Sequence, residues 1–184
     1  MMKIVPRSFF AQDTVKVAQE LLGKIILVDG CKVRIIETEA YTDDPASHAF
    51  KRTERSKIMF ETYGYVYVYL IYGMYYCLNF TTEHVGKPGA VLIRAVEPLS
   101  GMEMMKQKRG TKNVHNLCSG PGKLCQALGI DKRHNGLALG KEMKIVDDGF
   151  LVGKIRKSSR IGIKDALHLQ WRFFIDGNKF VSKV

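Results

Sequence analysis

Between positions 65 and 70, tyrosine alternates strictly with aliphatic residues: Tyr65, Tyr67 and Tyr69 interleave with Val66, Val68 and Leu70. Successive side chains of a strand point to opposite faces, so one face is aliphatic and the other carries aromatic rings with polar tips. The run continues as YLIYGMYYCLN, residues 69–79, with a Tyr-Gly pair at its middle and apolar residues on both sides. That pattern predicts a β-hairpin over Tyr65 to Phe80, but two-residue hairpin turns favour Asn-Gly or Gly-X. A ring at the tip has little of its own protein to pack against. Tyr72 is therefore placed to touch something else.

Seven of the eight tyrosines lie between Tyr63 and Tyr76. A sheet built from good strand formers accounts for this, and so does a platform for stacking bases. Charge favours the second reading. The chain has 29 Lys and Arg against 18 Asp and Glu, a formal charge of +11. Such a surplus suits a polyanion, nucleic acid before an anionic membrane surface. Basic runs flank the hairpin, KRTERSK at 51–57 and KQKRGTK at 106–112, although charge runs also serve as plain solvated faces. No apolar run is long enough to span a bilayer, and MMKIVPRSFF lacks the apolar core of a signal peptide. The expectation is a soluble, intracellular protein.

With 184 residues and 46% hydrophobic content, the chain can bury the core of one domain, residues 1–184. Asp13 to Leu22 reads as a packing helix ended by Gly23, and residues 24–30 and 31–41 as two strands around an Asp-Gly turn. Ala90 to Val96 reads as a further strand. Ser100 and Glu103 form a capping-box pattern opening a Met-rich helix that stops near Gly110, and Ser119 opens another through Leu128. From Met143 on, short strands and turns are expected. The class predicted is α+β: a curved, mostly antiparallel sheet with helices around it and a protruding Tyr-rich hairpin.

Four cysteines without a Cys-x-x-Cys pair point to reduced thiols rather than a disulfide scaffold. His115, Cys118, Cys125 and His134 match no usual zinc spacing, so no metal is expected. SGPGKLC has Leu117 where a phosphate loop has its first glycine and Leu124 in place of Ser or Thr, which excludes nucleotide hydrolysis. Its Ser-Gly-Pro start can offer amides to a phosphate or simply cap a helix. In ETEAY, Glu37 and Glu39 stand two apart on one strand and point to the same side. Like charges this close raise one pKa unless a cation intervenes, and Arg94 in VLIRAVEP is the natural countercharge. A Glu-Arg ion pair and a general base for activating water both fit.

ETEAY, a histidine in ASHAF, YVYVYLIYGMYYCLN, VLIRAVEPL, LCSGPGKLCQAL and SRIGI occur in that order. Together they resemble the alkyladenine (3-methyladenine) DNA glycosylase family, over nearly the whole chain from Phe9 to Ser182. The resemblance implies a monofunctional enzyme that flips alkylated and deaminated purines out of duplex DNA and hydrolyses the N-glycosyl bond. By carry-over, Tyr72 is the wedge that enters the duplex. Tyr41 and Tyr69 sandwich the flipped base, His48 lies along its edge, and the backbone amides of Ala46 and His48 bond that edge. Asn79 crowds the exocyclic amine of guanine. Glu39 is the general base, Arg94 helps hold the water and the glutamate, and a backbone carbonyl near Ile161 is a third water ligand. The implied partner is double-stranded DNA with a damaged purine, bound by a monomer, with no cofactor and no membrane. Localisation follows the DNA: cytoplasm and nucleoid in a bacterium, nucleus in a eukaryote. Two other readings are a non-catalytic nucleic-acid binder stacking bases on the same tyrosines and a glycosidase using Glu37 and Glu39. The second is disfavoured because the two stand side by side rather than across a substrate.

Overall fold

A computed structural model describes residues 2–182. In chain order its elements are β1 (Lys3–Ile4), α1 (Thr14–Glu20), β2 (Ile25–Val28), β3 (Cys31–Tyr41), α2 (Lys57–Glu61), β4 (Val66–Ile71), β5 (Tyr75–Thr81), β6 (Ala90–Ser100), α3 (Met102–Arg109), α4 (Pro121–Leu128), β7 (Met143–Asp147), β8 (Ile155–Ser158) and β9 (Arg172–Ile175). All strand pairings among these residues are antiparallel, in the order β1-β7-β2-β3-β6-β5-β4. The fold is α+β with a curled antiparallel sheet, as the patterning predicted.

β3 organises the molecule. Its first half pairs with β2 through a two-residue Asp29-Gly30 turn in which both residues have positive φ, the geometry an Asp-Gly hairpin prefers. Its second half, Glu37 to Glu39, pairs instead with β9, while β6 runs along the opposite edge. Register shifts against β6 flank Glu37, and such bulges bend a strand and re-aim its side chains. Both glutamates of ETEAY lie at this bend.

The alternation in β4 separates two apolar clusters. Val66 and Val68 join the main core with Leu78, Phe80, Val91 and Ile93, covered by α1, α3 and α4. Tyr67 goes the other way, into a smaller cluster with Ala49, Met59 and Ala90, against which Tyr41 and Tyr69 pack. Fully buried side chains such as Leu78 and Ile93 contribute about 1.5–3 kcal/mol each. Tyr65 joins neither that cluster nor the main core; the Arg7 guanidinium lies over its ring at 4.9 Å. Tyr63 and Tyr76 pack against the main core.

Three expectations are corrected. The strand begun at Ala90 runs to Ser100, through Pro98. The proline is tolerated because β5 pairs with β6 only at Ala90 to Leu92, so at Pro98 no ladder on that side requires an N–H. Ser100 therefore ends a strand and does not cap a helix. Gly101, at φ 83°, makes the turn into α3, where a Cβ would lie 2.9 Å from Cys31 Sγ, and Glu103 bonds Lys106 at 2.6 Å. α4 likewise begins after Gly120, with Pro121 in its first turn and no Ser119 cap.

The hairpin turn differs as well. Ile71 pairs with Tyr75, leaving three residues at the tip, and Met74 N–H donates to Ile71 O at 3.1 Å. Tyr72 sits at φ 54°, a left-handed conformation that costs a non-glycine residue about 1–3 kcal/mol. It is also 79% exposed, beside Met74 at 70%. Folding gains nothing from a strained, solvated ring. No helix among the described residues is long and apolar enough to cross a membrane.

Candidate active site

On the tyrosine face lies a cavity of about 640 Å³, walled by the end of β3, the β4–β5 hairpin, the start of α4 and residues 161–163. Tyr41, Ala46, His48, Tyr69, Tyr72, Asn79, Arg94 and Ile161 all line it. Glu39 lies beneath that lining, with no solvent exposure. Of these nine residues, spread over 123 positions of sequence, Glu39, Tyr41, Tyr69, Asn79 and Arg94 meet because β3, β4, β5 and β6 are neighbours in one sheet; the segment after β3 supplies Ala46 and His48, the hairpin tip Tyr72, and Ile161 is tied in through Glu39.

The two glutamates occupy different environments. Glu37 Oε1 accepts from Arg94 Nε (3.1 Å), Arg172 Nε (2.7 Å) and Ser182 Oγ (2.8 Å), and Oε2 accepts from the Ser182 N–H (2.7 Å). This carboxylate anchors the C-terminal segment and two arginines. Glu39 Oε1 accepts the Ile161 N–H at 2.7 Å and lies 3.4 Å from Arg94 Nη1, while Oε2 accepts the Tyr41 hydroxyl at 2.8 Å. Burial pushes Glu39 above the ordinary carboxylate range, against the opposing pull of Arg94, the Ile161 amide and Tyr41, and Glu37 adds to the rise. Arg94 thus bridges both carboxylates, as a countercharge must. At Ile161 the bond to Glu39 comes from the amide, a contact distinct from the water-holding carbonyl that the resemblance implies nearby.

The aromatic wall is held in its neutral state. Burial and the neighbouring Glu39 charge keep Tyr41 protonated far above the ordinary phenol range, and burial drives Tyr67 up to about 12. His48 Nδ1 and the Tyr67 hydroxyl share a 2.9 Å hydrogen bond, and the imidazole meets the Tyr69 ring edge-on at 4.5 Å. Desolvation and then the Arg55 charge lower the His48 pKa, which favours the neutral ring. Asn79 is fixed by its amide N–H groups donating to the carbonyls of Tyr67 (3.2 Å) and Cys77 (3.3 Å).

Several contributors escaped sequence reasoning. The Ala46 N–H, expected to face a ligand, donates to Asp44 Oδ1 at 3.0 Å. Asp44 in turn binds Arg160, the residue before Ile161. Asp44 is held below the ordinary aspartate range: burial acts against this, but the Arg160 guanidinium and the Ala46 and Thr42 amides outweigh it. A buried Arg in SRIGI was the available signal, since such a charge requires a partner. Gly120 to Lys123 also line the cavity, and a Cβ at Gly122 would come within 3.0 Å of the Tyr75 side chain. A side chain there would require the Tyr75 ring to shift by a few tenths of an ångström.

The four residues weighed as zinc ligands are otherwise engaged. Cys118 and Cys125 belong to the main core, His115 packs against the Phe180 ring at 4.8 Å, and His134 Nδ1 accepts the Asp131 N–H. All four cysteines are free and buried.

The arrangement is a buried, partly neutralised carboxylate under an electron-rich aromatic slot, with a strained tyrosine projecting at its rim. A family model described as methylpurine-DNA glycosylase (MPG) matches residues 8–179. A protein of Alkaliphilus oremlandii named "Putative 3-methyladenine DNA glycosylase" is 47% identical, covering 96% of this chain and 98% of its own. Proteins of the same name from Clostridium perfringens strain 13 and Agrobacterium fabrum are each 46% identical, over 96% and 97% of this chain and 98% and 92% of theirs. The chain belongs to the methylpurine-DNA glycosylase family, whose members are hydrolases of N-glycosyl bonds.

Proposed function

We propose that this chain is a monofunctional DNA glycosylase that takes an alkylated or deaminated purine out of double-stranded DNA and releases it by water attack at C1′. The observation that carries the reading is Glu39: fully buried, hydrogen-bonded to Tyr41 and the Ile161 amide, and in reach of Arg94 under a cavity with room for a purine nucleotide. A base in the duplex stack is out of reach of such a carboxylate, so the nucleotide must be extruded at a cost of a few kcal/mol. Tyr72 at the exposed tip offsets part of that cost by filling the gap. The flipped base stacks between Tyr41 and Tyr69, and a purine methylated at N3 or N7 is a cation that binds aromatic faces by about 0.5–2 kcal/mol. Arg94 and Glu39 hold the water. Every group in this scheme comes from one chain, and a monomer suffices. The +11 charge provides the electrostatic attraction to the phosphate backbone.

The strand should survive the reaction. Glycosylases that also cut the strand use an amine to form a Schiff base with the sugar. Lys123 is the lysine lining the cavity, and its Nζ is bonded to Asn116 Oδ1, while water at Glu39 is the nucleophile assigned here. Duplexes each carrying one 3-methyladenine, 7-methylguanine, hypoxanthine or ethenoadenine, incubated with the enzyme and borohydride, are expected to release free base from at least one lesion. The abasic strand should stay intact until alkali, with no trapped protein–DNA adduct. Binding without base release would support a non-catalytic binder, and an adduct that disappears with one Lys→Met change would overturn the water mechanism.

The strain at Tyr72 gives a paired expectation. Tyr72→Gly removes a left-handed non-glycine residue, so the variant should be about 1 kcal/mol more stable and melt about 2–4 °C higher. The same change should weaken capture of a lesion duplex far more than binding to undamaged DNA. Equal losses on both DNAs, or a lower melting temperature, would count against a wedge that is strained for function.

A further inference from the structure

Arg160 is a buried charged group beside the cavity that the scheme above leaves unused. Its side chain has no solvent exposure. The guanidinium donates from Nη1 to Asp44 Oδ2 (3.0 Å) and to the Ala40 carbonyl (3.0 Å), and from Nη2 to Asp44 Oδ1 (2.6 Å). It lies 4.6 Å from the centre of the Tyr41 ring and 5.3 Å from that of Trp171, and its Nε is buried without a hydrogen-bond partner. Tyr41 lines the cavity and Arg160 does not, so the guanidinium backs the ring from the side away from the bound base. Burying a charged pair costs several kcal/mol per ion and contributes little net stability compared with an apolar replacement. An orphaned Nε adds to that cost. A folding role therefore explains this group poorly.

What the pair does achieve is to join three separate pieces of the cavity. Arg160 grips the end of β3 at Ala40 and backs Tyr41. Through Asp44 it holds the loop 42–47, whose Thr42 and Ala46 amides donate to the same carboxylate. Through the chain it sets Ile161, whose N–H reaches Glu39 at 2.7 Å. We propose that Arg160, with Asp44, is a positioning residue of the glycosylase reaction, fixing the Tyr41 ring, the Ala46–His48 edge and the Ile161 amide in one arrangement around the flipped purine. The proposal rests on the reading of the cavity given above. Lysine cannot replace this group, because an ammonium has no planar fork for Asp44 and no flat face for Tyr41.

The test compares wild type with Arg160→Met, Arg160→Lys and Asp44→Asn on a lesion duplex under saturating, single-turnover conditions. Arg34→Met serves as control: Arg34 forms a comparable pair with Asp148 (2.8 Å) at the other end of β3, away from the cavity. Arg160→Met is expected to lower the saturated excision rate about 10²-fold, the scale of an ångström's misplacement, with affinity for undamaged duplex unchanged. Arg160→Lys should not restore the rate, and Asp44→Asn, a gentler change, should lower it in the same direction. The acid limb of the rate should also move to higher pH. Glu39 then loses the Ile161 amide while still facing Arg94 from β6, Glu37 and Tyr41 from its own strand, Tyr69 from β4 and Cys77 from β5. A rate and acid limb that survive in Arg160→Met and Asp44→Asn would overturn the proposal alone. So would a rate loss matched by Arg34→Met at an equal drop in melting temperature. Wild type that releases no base from any lesion would overturn the glycosylase reading, and this proposal with it.

Discussion

Glu37→Gln is expected to destabilise the fold by about 3–5 kcal/mol, the cost of leaving buried charges without their partner. Glu37 is fully buried, and one carboxylate oxygen serves Arg94, Arg172 and the Ser182 hydroxyl at once. Glutamine keeps the shape but removes the charge that two buried guanidinium groups share. Its NH2 would also have to face a donor, either those guanidinium groups or the Ser182 N–H. For a chain of this size the loss corresponds to a fall in melting temperature on the order of 10 °C. Thermal unfolding followed by circular dichroism measures it. A shift below about 1 kcal/mol would mean that Glu37 does not anchor the C-terminal segment. The two carboxylates of ETEAY, equivalent by spacing, thus differ in surroundings: Glu37 ties the C-terminal segment to two arginines, and Glu39 lies beneath the cavity lining.

The family resemblance singled out Glu39, but spacing alone could not make that distinction, and the reason is range. Spacing in β3 put Glu37 and Glu39 on one side and made Arg94 their countercharge, which is local periodicity plus the rule that a buried charge needs a partner. The groups that separate the two come from far away: Ser182 lies 145 residues from Glu37, and Ile161 lies 122 from Glu39. The Asp44–Arg160 pair spans 116. No period of the sequence marks such pairs. The hairpin and the Asp29-Gly30 turn were legible because two-residue alternation and turn chemistry act over a few positions. α2 was missed within KRTERSKIMFE because the charges dominate that stretch, although Met59 is buried and Ile58 and Phe60 pack beside it. The Ser100 cap failed for a similar reason: Pro98 reads as a break, yet it lies where β6 needs no donor on its outer edge. The cavity residues themselves were named by family resemblance, and the sheet order explains why they meet.

The second large effect is catalytic and centres on Glu39. A general base must be ionised to act, and burial holds this carboxyl above the ordinary glutamate value of about 4.3 despite Arg94, the Ile161 amide and Tyr41. Excision should therefore fall as pH drops through that raised value, with an acid limb above the ordinary glutamate range. The effect on stability has the opposite sign: a raised folded-state pKa means that the ionised group burdens the fold above the unfolded value, and protonation relieves it. Loss of activity on acidification would then precede any unfolding due to this residue. Glu39→Gln removes the base proposed here and keeps the shape, so the chemical step should slow about 10²- to 10⁴-fold while the slot still binds the lesion. The deciding measurement is free-base release from a single-lesion duplex by wild type and Glu39→Gln side by side, with the affinity of each for that duplex determined in parallel. The account predicts release by wild type, near-complete loss of release in Glu39→Gln, and matching affinities. Release by Glu39→Gln at the wild-type rate would contradict it.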